Sequence, residues 1–240
     1  MDITSFISPK QLIEMKREIV EQALARANPI VALEYKDGIV VMAENPSDTL
    51  NKISEIYDRI VFAGTGVFND YERLRRAGVQ YADLKGFSYS RKDVKARSLA
   101  SEFSNILGDV FMRQQVPWEV EILVVELGET PTDNRLYVIL YSGGLVEEKR
   151  FCAIGDIVRD KEGELRRDPL RTKLKSMELK GDEPLEKALR AGYDALISVK
   201  QAGARIAPQN LEIVVLDRTV VRERKMRRLA LAEIEQLLSA

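Results

Sequence analysis

The sequence contains no histidine, and this absence excludes whole classes of catalytic chemistry. Its 240 residues also include only one cysteine, Cys152. Ser-His-Asp and Cys-His catalysis therefore cannot be built from this chain, and neither can metal sites that use imidazole or several thiolates. Carboxylates, lysines and hydroxyls are the main groups left for chemistry. We expect no metal and no cofactor.

The single cysteine and the lack of a long apolar run indicate the cellular compartment in which the protein works. Cys152 lies in the apolar run Phe-Cys-Ala-Ile at 151–154, where a buried, inert thiol is favoured over a reactive one. No disulfide can form within the chain, which favours a reducing compartment. The N-terminal MDITSFISPKQ lacks a signal-peptide pattern, and no apolar run approaches the roughly 18 residues of a membrane span. We expect a soluble, cytoplasmic protein.

The charge is nearly balanced. Lysine and arginine number 37 and aspartate and glutamate 38, giving a net charge of −1. Such a balance gives no global attraction to nucleic acid or to an anionic membrane, and we expect neither as a partner. One basic run lies between 218 and 228, but no aromatic residues alternate with it to stack on bases. We interpret it as solvated strand and turn charges, with a nucleic-acid-binding module as the alternative.

The first predicted element is an amphipathic helix at about 9–27. Ser8 followed by Pro9 is typical of a helix start, and Pro29 ends the pattern. An apolar stripe recurs at helical spacing, and we expect charged residues to line the opposite face. The stripe comprises Leu12, Ile19, Val20, Ala23, Leu24 and Ala27, and the charged face comprises Lys16, Arg17, Glu18, Glu21 and Arg26.

Short strands and longer helices follow in blocks. Asp37-Gly38 predicts a hairpin turn, and the short connections between early strands indicate antiparallel pairing. The charged stretch 156–182 has no apolar periodicity and is predicted to be a long, variable, mobile connection that contains one irregular helical piece. We predict strands at 30–35, 39–43, 52–57, 60–64, 119–126, 135–141, 149–154 and 211–216, and helices at 69–77, 91–113, 184–202 and 229–238.

This order of elements predicts a four-layer α-β-β-α sandwich of two antiparallel sheets in an α/β (α+β) chain. We expect a single domain over 1–240: a tail at 1–7, the first helix at 8–27 and the sandwich core at 30–240. The architecture is the one used by N-terminal-nucleophile hydrolases, here with an extra N-terminal helix.

Several longer motifs narrow this match. The chain closely resembles the α subunits of bacterial, actinobacterial-type 20S proteasomes, over nearly its whole length. The segments that carry the resemblance are FISP at 6–9, ALARANPIVALEYKDGIVVMAENPS at 23–47, NKISEIYDRIVFAGTGVFNDYERLRRAGVQYADLKGFSYSRKDV at 51–94, VPWEVEILVVELG at 116–128, LEIVVLD at 211–217 and MRRLALAEIEQLL at 226–238.

The resemblance implies a non-catalytic subunit of a heptameric ring. Such a ring caps the proteolytic β subunits, gates the entry of protein substrates and receives a ring-shaped ATPase in ATP-dependent or ubiquitin-like-tag-dependent degradation. It implies that Lys52 and Gly66 belong to the pocket that takes the C-terminal carboxylate of the ATPase. It also implies that the tail closes the axial pore, with the gate residues Asp2, Ile3, Phe6 and Ile7.

Two alternatives remain at this stage. From spacing alone, a snorkelling surface lysine is the favoured interpretation of Lys52, and only the resemblance favours docking. The chain could also be an autonomous N-terminal-nucleophile amidase or peptidase, which needs Thr, Ser or Cys at its mature N-terminus. Ile30 stands where an active subunit would begin, and Thr4 and Ser5 lie in the tail without an evident partner. We therefore predict that the subunit is not an enzyme.

Overall fold

The computed structural model describes residues 8–159, 162–200 and 203–239. Two five-stranded antiparallel sheets lie face to face between helices, which confirms the predicted sandwich. The helices are α1 (Pro9–Leu24), α2 (Phe68–Ser88), α3 (Ala96–Arg113), α4 (Pro169–Ser176), α5 (Leu185–Ser198) and α6 (Leu231–Ser239). The strands are β1 (Ile30–Tyr35), β2 (Gly38–Glu44), β3 (Ile53–Tyr57), β4 (Ile60–Gly66), β5 (Val120–Glu126), β6 (Arg135–Ile139), β7 (Leu145–Glu148), β8 (Phe151–Ile154), β9 (Ile157–Arg159), β10 (Leu165–Arg167), β11 (Leu211–Asp217) and β12 (Met226–Arg228).

The first sheet has the order β12-β11-β2-β1-β8, and the second has the order β3-β4-β5-β6-β7. Strand β1 illustrates the layering. Ile30 and Ala32 face the second sheet, whereas Val31 and Leu33 face the outer helices. Both faces of β1 are therefore covered, and this explains why its sequence is a continuous apolar run rather than an alternating one.

Helix α1 begins as predicted, but its buried face differs from the predicted one. Ser8 and Gln11 form a reciprocal capping box at its start. Val20 and Leu24 are fully buried. Two charged residues, Lys16 and Glu21, are also buried, although they were predicted to lie on the opposite, polar face. For Lys16 and Glu21 the predicted exposure was wrong, because both charged groups find partners inside the chain. Arg17, Glu18 and Arg26 are exposed as predicted.

Lys16 and Glu21 each satisfy their charge across the interface with the sandwich. Lys16 Nζ donates to the carbonyl of Phe111 at 2.8 Å and to the carbonyl of Gln114 at 2.6 Å, both at the end of α3. Glu21 accepts from Tyr141 Oη at 3.0 Å and pairs with the guanidinium of Arg167. Buried charges are tolerated when they are paired in this way. As a result α1 is tied to the core by polar bonds as well as by apolar packing.

The stretch 156–182 contains more regular structure than the predicted mobile connection with one irregular helical piece. It contains the β9–β10 hairpin and α4. Asp156 accepts from the backbone N–H groups of Leu170 at 2.7 Å and Arg171 at 2.9 Å, at the start of α4. Leu170 and Leu174 are fully buried against the first sheet. The helical piece was predicted, whereas the three-residue strands of the β9–β10 hairpin are too short to show an alternating pattern in the sequence.

Other element boundaries also shifted. Helix α2 continues to Ser88 through Gly78, where an added Cβ would lie 2.6 Å from Phe103 Cζ. Glycine therefore serves close packing at this position rather than ending the helix.

Cys152 is fully buried, which raises the pKa of its thiol, as expected for an inert cysteine. Within the described ranges, no helix is long and apolar enough to cross a membrane.

Candidate functional site

Lys52 immediately precedes β3, at the end of the sandwich where α1 leads into β1. Its side chain is partly buried, and its Nζ donates to the carbonyl of Asn28 at 2.7 Å. Burial lowers the pKa of Lys52 to about 8, while the carboxylates of Glu212 and Glu44 oppose that decrease. Lys52 is therefore not the freely solvated surface lysine of the alternative interpretation.

The Asn28 carbonyl joins three segments at this end. It also accepts from the Oγ1 of Thr65 at 2.8 Å, and Thr65 is fully buried in β4. The residues between α1 and β1 are thus held to the segment before β3 and to the end of β4. This arrangement fixes the direction in which the Lys52 side chain extends.

Gly66 is close to Lys52 along the neighbouring strand. The backbone N–H of Gly64 donates to the Lys52 carbonyl at 3.0 Å, two residues before Gly66. Gly66 has a φ of +108°, and an added Cβ would lie 2.0 Å from the carbonyl oxygen of Glu119. Only glycine fits this backbone, so the chain itself requires Gly66, independently of any ligand.

The Lys52 segment is held by residues that the sequence analysis did not single out. Glu212, at the start of β11, accepts from the backbone N–H groups of Lys52 at 2.9 Å and Ile53 at 3.0 Å. Asn45 and Arg228 also bind this carboxylate. A glutamate within the apolar run LEIVVLD was the one available signal, because an acidic residue on a covered strand needs buried partners.

The basic run 218–228 was interpreted as solvated charge, and this interpretation was wrong for several of its members. Arg228 binds Glu212, and Arg227 pairs with Glu233 at 2.5 Å. Arg218 Nε donates to the carbonyl of Gly128 at 3.1 Å. These arginines therefore stabilise the fold, and they do not form a free basic strip for nucleic acid.

The chemistry available at Lys52 is anion binding. An ammonium group has three N–H donors, and in the described part of the chain its only hydrogen-bond acceptor is the Asn28 carbonyl. A charge in partly desolvated surroundings attracts an opposite charge more strongly than one in bulk water. A carboxylate that reaches Nζ would therefore gain a charge-assisted hydrogen bond.

The position expected for a nucleophile lies in the middle of a sheet. Ile30 is the first residue of β1, is fully buried, and pairs with Ala43 on one side and Ile154 on the other. It offers neither a hydroxyl group nor a free amine. The tail residues Thr4 and Ser5 and the predicted gate residues Asp2, Ile3, Phe6 and Ile7 lie outside the described residues.

Comparisons with known proteins place the chain in a family. The family model "Proteasome subunit" matches residues 24–202. The proteasome subunit alpha of Frankia alni is 40% identical over 240 residues, covering 98% of this chain and 95% of that protein. The subunit of Kineococcus radiotolerans is 40% identical, covering 94% and 92%, and that of Streptomyces coelicolor is 37% identical, covering 100% and 91%. These matches set aside the autonomous amidase. The chain belongs to the proteasome subunit family, within which it is an α-type, non-catalytic subunit.

Proposed function

We propose that this chain forms a heptameric α ring of a cytoplasmic 20S core particle and docks a ring-shaped ATPase through Lys52. The ring caps the proteolytic β subunits and controls the entry of protein substrates. The observation that carries the docking proposal is the Lys52 ammonium, which is partly buried and hydrogen-bonded to the Asn28 carbonyl alone among the described residues. Such a group is suited to the terminal carboxylate of an activator tail.

The exposed face of α1 supports ring formation. Leu12, Met15 and Ile19 recur at helical spacing and are 43%, 49% and 46% exposed, while Val20 and Leu24 on the neighbouring face are buried in the chain's own core. An exposed apolar stripe on a helix marks a surface that another molecule covers. In a closed ring, each subunit presents this stripe to its neighbour.

Particle mass tests the ring. The chain has a mass of 27.2 kDa, so a heptamer is expected at about 190 kDa. Native mass spectrometry of the chain co-expressed with its β subunit should show α copies in multiples of seven, one set for each α ring. A particle whose number of α copies is not a multiple of seven would contradict the heptamer, and a persistent α monomer beside β oligomers would contradict ring formation itself.

The gate is the third part of the proposal. Asp2, Ile3, Phe6 and Ile7 precede the Ser8 cap, and seven converging tails would bring the apolar side chains of Ile3, Phe6 and Ile7 together at the ring axis. Removal of residues 2–7 leaves the Ser8–Gln11 capping box and the helix start in place. We expect truncated particles to hydrolyse long unfolded peptides several-fold faster than intact ones, because the barrier is gone.

A very short fluorogenic peptide provides the control for this truncation. It passes the pore more easily, so its hydrolysis should change much less than that of the long peptide. Equal acceleration of both substrates would indicate altered β activity rather than an open gate, and no acceleration of either would show that this tail is not the barrier.

A further inference from the structure

Glu212 is the most completely bonded carboxylate near the proposed docking site. It is 7% exposed, on β11 in the first sheet. Its two oxygens accept four hydrogen bonds, and a carboxylate offers about four acceptor positions. The donors are Asn45 Nδ2 at 2.6 Å, the Lys52 N–H at 2.9 Å, the Ile53 N–H at 3.0 Å and Arg228 Nη1 at 2.5 Å.

Asn45 and Arg228 extend this network to both sides of Lys52. Arg228 Nη2 donates to the carbonyl of Ile53 at 2.8 Å, so the guanidinium holds the residue after Lys52. Asn45 Nδ2 also donates to the carbonyl of Leu50 at 2.7 Å, which holds the segment before Lys52. The backbone that carries Lys52 is therefore clamped before and after it by three side chains from other elements.

The charges in this cluster are arranged to leave Lys52 available. Arg228 and Glu212 neutralise each other through a direct ion pair. Glu212 reaches the main chain of Lys52, whereas Lys52 Nζ is directed to the Asn28 carbonyl. The Glu212 carboxylate also raises the pKa of Lys52 and so opposes the larger, lowering effect of burial, which helps to keep the Lys52 ammonium charged.

We propose that Glu212, supported by Arg228 and Asn45, is a positioning group that orients the Lys52 segment for capture of a terminal carboxylate. This inference rests on the proposed docking function of Lys52. Glu212 touches the backbone of the binding residue, and it acts on the ligand only through Lys52. Altering residues that orient metal ligands costs about tenfold or more in metal affinity, and we expect an effect of that size for the residue that orients Lys52.

The test compares Glu212→Gln with wild type in assembled particles. The probe is a short peptide with the C-terminal residues of an actinobacterial proteasomal ATPase, with a free carboxylate or an amidated end. Glutamine keeps the shape of the side chain but replaces one acceptor oxygen with a donor that faces other donors. We expect the free-carboxylate peptide to bind about tenfold more weakly, and the weak binding of the amidated peptide to stay unchanged.

The pH profile separates positioning from general loosening of the fold. Glu212 helps to keep Lys52 charged, so the pH at which binding is half lost should move lower in Glu212→Gln. A general loosening of the fold would also weaken binding, but it would expose Lys52 to water and therefore would not lower this midpoint. A variant that binds with wild-type affinity and an unshifted midpoint would overturn the inference.

Two further variants strengthen the design. Arg228→Lys retains the charge but loses the fork that reaches both Glu212 and the Ile53 carbonyl, and an intermediate loss of affinity is expected. Arg227→Gln is the matched control, because Arg227 precedes Arg228 on β12 and pairs with Glu233 instead. It should bind as wild type does. If Glu212→Gln fails to assemble, wild-type binding by Arg228→Lys would still overturn the inference.

The outcomes also separate this inference from the proposed function. Unchanged binding by Lys52→Ala would overturn the docking function and the inference with it. Loss of binding in Lys52→Ala, together with wild-type affinity and midpoint in Glu212→Gln and wild-type affinity in Arg228→Lys, would overturn the positioning role alone.

Discussion

Lys52→Ala is expected to abolish ATPase docking and ATPase-stimulated degradation while leaving ring assembly and hydrolysis of very short peptides near wild-type levels. The variant removes the ammonium that would pair with the terminal carboxylate. It also removes one hydrogen bond to the Asn28 carbonyl, which keeps its second donor, Thr65. Because several tails engage one ring, the loss per subunit multiplies around the ring. Binding of the free-carboxylate ATPase peptide to assembled particles measures the effect.

Two companion variants control this experiment. Lys52→Arg retains the charge but places a planar fork in a confined space, so it should restore binding only in part. Lys175→Ala removes an exposed lysine of α4 and should leave docking intact. Wild-type peptide affinity in Lys52→Ala would show that Lys52 is a structural lysine and not a docking group.

Docking should also depend on pH, because it requires the protonated form of Lys52. The pKa of Lys52 is lowered from 10.5 to about 8, whereas a terminal carboxylate stays ionised throughout this range. Peptide binding should therefore decline as pH rises through about 8. Between the two pKa values the unfolded chain binds the extra proton, so the contribution of Lys52 to folding stability increases with pH in the same window. Binding that stays constant through pH 8 would contradict this assignment.

The second large effect, a loss of ring assembly, is expected when the exposed apolar stripe of α1, formed by Leu12, Met15 and Ile19, is made acidic. Met15→Glu combined with Ile19→Glu should prevent ring formation, because two carboxylates would be buried against a neighbouring subunit without partners. Folding of the single chain should persist, since both side chains are about half exposed in it. Sedimentation should show a folded monomer or a small oligomer in place of the full particle, and circular dichroism should confirm the fold.

Point variants test the stripe more directly than removal of the helix. Deletion of α1 would also uncover Phe111 and Tyr141, which pack against Val20 and Leu24. Lys10→Glu is the matched control: it adds negative charge to the same helix, at an exposed position in the first turn where a negative charge is favourable. Full rings in the double variant, or loss of rings in Lys10→Glu, would contradict the assignment of the interface to the stripe.

Sequence patterns predicted the layers well because strand and helix periodicities are local signals. The run 30–35 and the Asp37-Gly38 turn define β1 and β2 without knowledge of their neighbours. The faces of α1 were harder to predict. Polar residues are assigned to solvent by default, and only the distant carbonyls of Phe111 and Gln114 explain why Lys16 is buried.

The candidate site also contains residues that the sequence identifies and residues that only the fold reveals. Lys52 and Gly66 were identified by resemblance, and the backbone geometry explains why glycine is needed at 66. The residues that hold Lys52 were missed because Glu212 lies 160 positions later and Arg228 is later still. No spacing rule connects residues that are so far apart, and without the fold a lone glutamate in a strand has no identifiable partner.

The bond between Lys16 and the end of α3 has a mechanical consequence. One ammonium holds the carbonyls of both Phe111 and Gln114, so α1 cannot rotate as a rigid body without either pulling the chain after α3 along or breaking two charge-assisted bonds away from water. Moving both segments together keeps the two hydrogen bonds and therefore costs less free energy than breaking them. We therefore expect helix α1 and the segment that begins at Gln114 to move together, so that in the proposed ring a displacement of α1 by a neighbouring subunit would reach the connection between α3 and β5.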